Sequence, residues 1–171
     1  MSPSTASNLS IVQGWTREGR NNIDPDAMEH YFSDDFVGHD PYQPVVVGKS
    51  QVRDFHQGIS SVFPDIEVRN DDSVEQDDMV CCRYTAKGTH SQDFMGIKPS
   101  GRSVTFAIMA TWRIRDGKIT DVWQNWDALG MHHQMLGDLP QGYIMDPANS
   151  SSTDYAGGDK AQRDNCANVK S

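Results

Sequence analysis

Cysteine is scarce: three residues, two of them adjacent as Cys81 and Cys82, give neither a disulfide framework nor a metal-ligand spacing. Basic charge is scarce too. Fifteen Lys and Arg stand against 24 Asp and Glu, a formal net charge of -9, so the clustered cations that nucleic acid or an anionic membrane requires are missing. No apolar run comes near the ~20 residues that cross a bilayer. The opening MSPSTASNLS lacks a basic segment followed by an apolar one, so no secretory signal is expected. A reduced, cytoplasmic setting follows, with neither nucleic acid nor membrane as partner.

What is there suits one core. At 171 residues and 36% hydrophobic content, the chain is long enough for one well-buried core and short for two. Residues 1–145 are expected to form a single domain. From residue 146 the chain reads DPANSSSTDYAGGDKAQRDNCANVKS, with almost nothing to bury, and a disordered or loosely attached tail is expected. Its Asp residues are nearly balanced by Lys160, Arg163 and Lys170, so the acidity belongs to the body.

Leu9, Val12 and Trp15 recur at helical spacing, which predicts a helix over about residues 6–20 closed by Gly19 and Asn21-Asn22. Asp24-Pro25 reads as the start of a short second helix carrying Met28, Tyr31 and Phe32, with a loop through Phe36 and Pro41 after it. Val52, Phe55, Ile59 and Phe63 make the stripe of a third helix, over about 49–62. The period then changes to two. Alternating runs near 66–70, 79–89, 104–115 and 118–126 predict strands, and 128–136 a last helix stopped by Gly137. Helices first and an antiparallel sheet afterwards is an α+β arrangement. A sheet curved around helices leaves the kind of concave apolar site that holds small ligands.

Asp116-Gly117 is the strongest hairpin signal. With a two-residue turn, Arg115 pairs with Lys118, Trp112 with Asp121, Ala110 with Trp123, Ile108 with Asn125 and Phe106 with Asp127. Alternation then puts Phe106, Ile108, Ala110, Trp112 and Ile114 on one face with Ile119, Trp123, Asn125 and Asp127. Since that face is apolar, Asn125 and Asp127 are expected as polar groups on the buried side. In the preceding strand Val80, Cys82, Tyr84, Ala86, Gly88 and His90 share inward parity.

Phe63-Pro64-Asp65, Gly88-Thr89-His90, Gly96-Ile97-Lys98-Pro99-Ser100-Gly101-Arg102, Asp116-Gly117-Lys118-Ile119, Trp123-Gln124-Asn125-Trp126-Asp127 and Gln134-Met135-Leu136-Gly137 occur in one order. As an ordered set over roughly residues 9–137 they resemble the SnoaL-like polyketide cyclase (ester cyclase) family. That family belongs to the nuclear-transport-factor-2-like superfamily of cone-shaped α+β folds. The resemblance implies a cofactor-independent enzyme, usually a homodimer, that closes a ring in a polyketide by intramolecular aldol chemistry. It further implies that Asp127 is the acid/base, that His90 lines the pocket and that His39 is a pocket histidine. Ser91-Gln92-Asp93 departs from the family's small glycine-containing turn, and Ser100 stands where Thr is usual. Members also isomerise and open epoxides, so fold and motif leave the substrate open.

Removing a proton next to a carbonyl requires a base and a donor for the developing enolate oxygen. An apolar cavity strengthens a carboxylate as a base by desolvating it, the situation expected for Asp127 among Trp123, Phe106 and Ile108. Asn125, about 6–7 Å along the strand, would orient a carbonyl oxygen, and His90 would join them. Trp15, Phe55, Tyr84, Phe106 and Trp123 are expected as core or pocket wall. Plainer readings stand beside these. Asp127 precedes a helix and fits an N-cap, while His90 and His39 fit satisfied structural histidines. His132 and His133 diverge by about 100° on a helix and do not chelate together, so no metal is expected.

A cyclase or isomerase acting on a polyketide-like molecule is the leading reading. An epoxide hydrolase or epoxide-opening cyclase needs paired acids and a positive partner, and Arg83 and Arg113 have outward parity. A non-catalytic small-molecule-binding module would need the pocket without Asp127.

Overall fold

The computed structural model describes residues 7–21, 24, 26–42 and 45–138; the tail expected from residue 146 lies outside them. Helix α1 (Asn8–Trp15) begins where the Ser7 side chain accepts the Ser10 N–H. It runs on into a π-helical turn, Thr16–Asn21. The Trp15 ring lies so close to Gly19 that a Cβ there would stand 1.8 Å from it. Helix α2 (Ala27–Tyr31) follows, then strands β1 (Phe32–His39) and β2 (Val46–Val47) and helix α3 (Gly48–Val62). The rest is β3 (Glu67–Gln76), β4 (Met79–Thr89), β5 (Ser103–Arg115), β6 (Lys118–Trp126) and α4 (Ala128–Leu136).

The strands form one curved, open six-stranded sheet in the order β2-β1-β6-β5-β4-β3. β1 and β6 run parallel, and every other neighbouring pair is antiparallel. With the N-terminal helices against its inner face, this is the α+β fold expected. The inner face of β4 carries Val80, Cys82, Tyr84 and Ala86, and that of β5 carries Val104, Ala110, Trp112 and Ile114, all buried. Against them pack Val12 and Trp15 of α1, Phe32 and Phe36 of β1, and Met131 and Met135 of α4. Among the described residues no helix is long and apolar enough to cross a membrane.

Two expectations are corrected. The stretch taken as a loop through Phe36 is β1. Phe32, Phe36 and Gly38 are buried, but the exposed pair Asp34-Asp35 interrupts the apolar alternation, so a period-two pattern is not visible. Asp34 instead meets Lys49 of α3 in an ion pair at 2.7 Å.

The second correction concerns the hairpin. Asp116 and Gly117 adopt φ of 50° and 73°, as a two-residue turn with left-handed central residues requires. Arg115 pairs with Lys118 and Ile114 with Ile119, as expected, but Arg113 then pairs with Asp121. Thr120 is an extra residue in β6, a β-bulge, and beyond it every side chain changes face. Val122 is therefore buried and Asn125 exposed. Trp123 sits on the outer face, under the Arg113 guanidinium at 4.8 Å. Gln124 and Trp126 take the inner positions that parity had assigned to Trp123, Asn125 and Asp127.

Candidate active site

Between the inner face of the sheet and α3 lies a cavity of about 690 Å³, its open mouth included, walled by Phe55, Ile59, Phe63, Phe106, Ile108, Trp126 and Met131 among others. A second chamber of about 440 Å³ continues toward β1, past Phe36, His39, Asp40 and Val52. The two share Arg20, Phe55, His56 and Gln124, so these four residues stand at their junction. Both chambers are walled mainly by apolar side chains, with few polar groups.

The polar groups at the junction come from three elements. Arg20 leaves the π-helical turn, and its guanidinium lies over the rings of Trp112 (5.4 Å) and Tyr84 (5.7 Å). His56 comes from α3, and its ring stands edge-on to Trp15 at 5.0 Å. Burial, and then the charge of Arg20, pull its pKa down to about 3, so the imidazole is neutral at ordinary pH. Burial also lowers the pKa of Arg20 and raises that of Tyr84. Tyr84 accepts the Trp112 indole N–H at 3.1 Å. Gln124 comes from β6. It donates to Asp40 Oδ2 at 2.9 Å, and Trp126 Nε1 donates to the same oxygen at 3.1 Å. The other carboxylate oxygen accepts Tyr42 N–H at 2.8 Å, so Asp40 is held rigidly at the edge of the smaller chamber.

Of the residues the sequence pointed to, Phe55 and Phe106 form cavity wall and His39 borders the smaller chamber. The His39 ring stacks on Trp123 at 5.0 Å with the planes 1° apart. Trp15 and Tyr84 are fully buried beneath the wall, as core. Asn125 and Trp123 lie on the far side of the sheet because of the Thr120 bulge, so neither has a place in the cavity.

His90 is fully buried but braces the loop before β5. Its Nδ1 accepts Ser100 N–H at 3.3 Å and lies 3.0 Å from Ser100 Oγ, while its own backbone bonds to Arg102 and Gly101. Asp127 is half-buried and is the N-cap of α4, its Oδ1 accepting Gly130 N–H at 2.8 Å. It is not among the wall residues, though Trp126 before it and Met131 one turn later both are.

Sequence reasoning passed over Arg20, His56, Asp40 and Gln124. His56 was legible, since it falls on the stripe of Val52, Phe55, Ile59 and Phe63 at helical spacing. Gln124 was hidden by the bulge. Arg20 was hidden by the π-helical turn, which rotates it away from the position a regular helix assigns. Among the described residues no cluster of His, Cys, Asp or Glu could hold a metal ion.

The fold and cavity define an α+β protein with a curved, open sheet and an apolar pocket. The model of the SnoaL-like polyketide cyclase family matches residues 10–135, and the chain belongs to that family. Solved structures share the fold. A SnoaL-like polyketide cyclase proposed in Jannaschia sp. CCS1 is 22% identical at a TM-score of 0.72, covering 82% of this chain and 97% of its own. IdmH, a proposed polyketide cyclase of Streptomyces antibioticus, is 28% identical with TM-score 0.67, covering 76% of this chain and 98% of its own. AclR of Streptomyces galilaeus, described as a proposed hydroxylase, is 23% identical with TM-score 0.68, covering 80% and 89%. No curated protein matches.

Proposed function

We propose that the protein is a cofactor-independent cyclase or isomerase that closes a ring in a polyketide-like molecule by proton abstraction next to a carbonyl and aldol-type attack. The observation that carries this reading is the apolar two-chamber cavity with a few convergent polar groups at its junction, in a chain of this family. A base removes the proton, and the electron pair moves onto the carbonyl oxygen as an enolate. The enolate carbon attacks a second carbonyl of the same molecule, and the new alkoxide recovers the proton. Nothing is consumed, so the base is restored in each turnover.

For the base we retain Asp127, as the family resemblance implies. Its support is position: it stands between wall residues Trp126 and Met131 in the chain, with one oxygen held by Gly130 N–H. A second reading has a specific observation behind it. His56 is itself in the wall and uncharged, hence able to accept a proton. Its affinity for that proton rises as an enolate forms nearby and offsets the charge of Arg20. His90, buried behind the wall with its Nδ1 on Ser100, supports the site by bracing the loop before β5.

Incubation with linear poly-β-ketone esters, followed by mass analysis of the product, tests the reaction class. Ring closure gives a species that separates from the substrate on chromatography, with the substrate's mass or that mass less one water. In a parallel incubation with epoxides, hydrolytic opening adds one water, while a binding module returns every substrate unchanged in mass and retention. The epoxide reading gains from the presence of Arg20 in the cavity, but only Asp40 among the carboxylates borders either chamber, so the paired acids it requires are missing from the described wall. The proposal includes the homodimer that the resemblance implies, which light scattering on the purified chain tests.

A further inference from the structure

Arg20 is a half-buried cation lining two apolar chambers at their junction, and among the described residues none makes a hydrogen bond or ion pair with it. Its Nε is fully buried without a partner. The carboxylate nearest in the lining does not serve: both oxygens of Asp40 are engaged by Tyr42, Gln124 and Trp126. His56 is no partner either, since an imidazole adds no negative charge. The ring faces of Trp112 and Tyr84 hold the guanidinium carbon, and such contacts offset part of the desolvation cost. They leave the N–H fork without a partner among the described residues, and a half-buried charge against apolar walls gains from a ligand that completes it.

We infer that Arg20 is the receptor for an anionic oxygen, a carboxylate or an ionised enol, on an otherwise apolar ligand. The planar fork suits two-point contact with either group. In the ring-closing reaction the same fork would face the oxygen on which enolate charge develops. The inference deepens the proposed function by specifying what the substrate presents at the junction, and rests on that reading only in taking the cavity as the substrate site.

The test is calorimetric titration of the full chain with two matched pairs: naphthoate against methyl naphthoate, and ionised hydroxynaphthoquinone against its methyl ether. The wild type is expected to bind at least one anion about tenfold or more tightly than its neutral partner, and the pair that discriminates identifies the group. In Arg20→Met that preference disappears through weaker binding of the anion, the neutral ligand shifting by less than about threefold. Arg20→Lys, which keeps the charge and loses the fork, retains part of the preference.

Equal affinity within both pairs for the wild type overturns the inference, as does absence of binding by all four ligands. Equal losses for anion and neutral ligand in a folded Arg20→Met also overturn it. Should Arg20→Met fail to fold, the wild-type pairs and Arg20→Lys decide. No turnover is measured, so the two ideas fail separately. An anion preference without any product from polyketide substrates sinks the cyclase reading alone, and ring closure without an anion preference sinks this one.

Discussion

Gln124 Nε2 donates to Asp40 Oδ2 over 2.9 Å, and that bond ties the end of β1 to the inner face of β6, the two strands that run parallel. Trp126 Nε1 and Tyr42 N–H complete the environment of the carboxylate. Hydrogen bonds to a charged acceptor contribute about 1.5–3 kcal/mol. Asp40→Ala is therefore expected to lower unfolding free energy by about that amount, and Asp40→Asn by less because the amide oxygen still accepts. Urea denaturation of the three proteins, read by Trp fluorescence, measures the order; equal stabilities would show that the cluster contributes nothing.

Asp127 has a structural role that separates from any chemical one. Asp127→Ala removes the acceptor for Gly130 N–H and is expected to cost about 0.5–2 kcal/mol. Asp127→Asn keeps an acceptor and stays within a few tenths. If Asp127 is the acid/base, the Asn variant nevertheless loses about 100-fold or more in kcat/KM. Survival of activity within about tenfold in Asp127→Asn, together with a collapse in His56→Gln, would transfer the base to the cavity wall.

Acid sensitivity is expected from His56. Desolvation, and then the charge of Arg20, hold its pKa at about 3 against the ordinary 6.5. Between those values the unfolded chain binds a proton that the native state refuses, so stability is fully present above about pH 6.5 and falls as pH drops through the window. His56→Gln removes this contribution. Its melting temperature is expected to decline less steeply than that of the wild type from about pH 6.5 to 4; parallel slopes would contradict a neutral imidazole at the junction of the chambers.

Deleting Thr120 removes the bulge residue. Asp121 then follows Ile119 directly, the pairs Arg113–Asp121 and Trp112–Val122 continue a regular register, and Val122, Gln124 and Trp126 keep the inner face. A cooperative unfolding transition is therefore expected to survive the deletion, and Thr120→Ala, which keeps the bulge, costs about 1 kcal/mol or less. Loss of the transition in the deletion variant would mean that the sheet needs the bulge itself, for the bend it gives β6.

Much of the frame was readable from residues. The stop of α4 at Gly137, with φ of 78°, the Asp116-Gly117 turn and the inward parity of β4 all follow from local chemistry or unbroken alternation. Gln134 shows a residue whose meaning needed the fold. Its side chain donates to Thr105 O at 2.7 Å and accepts Thr105 N–H at 2.8 Å, satisfying β5 beyond the point where β6 ends. The ordered motifs identified the family before any coordinate did, since each encodes a turn, cap or strand end of the scaffold.

By itself, then, the sequence determined the succession of helices and strands, the apolar faces and the family, because those depend on spacing along the chain. Tertiary structure alone decided which polar groups meet in the cavity. One extra residue in β6 reversed the faces of Trp123 and Asn125, and a π-helical turn brought Arg20 under two aromatic rings. Both are single-residue changes of register, which leave composition and periodicity almost untouched while exchanging the inside of the protein for the outside.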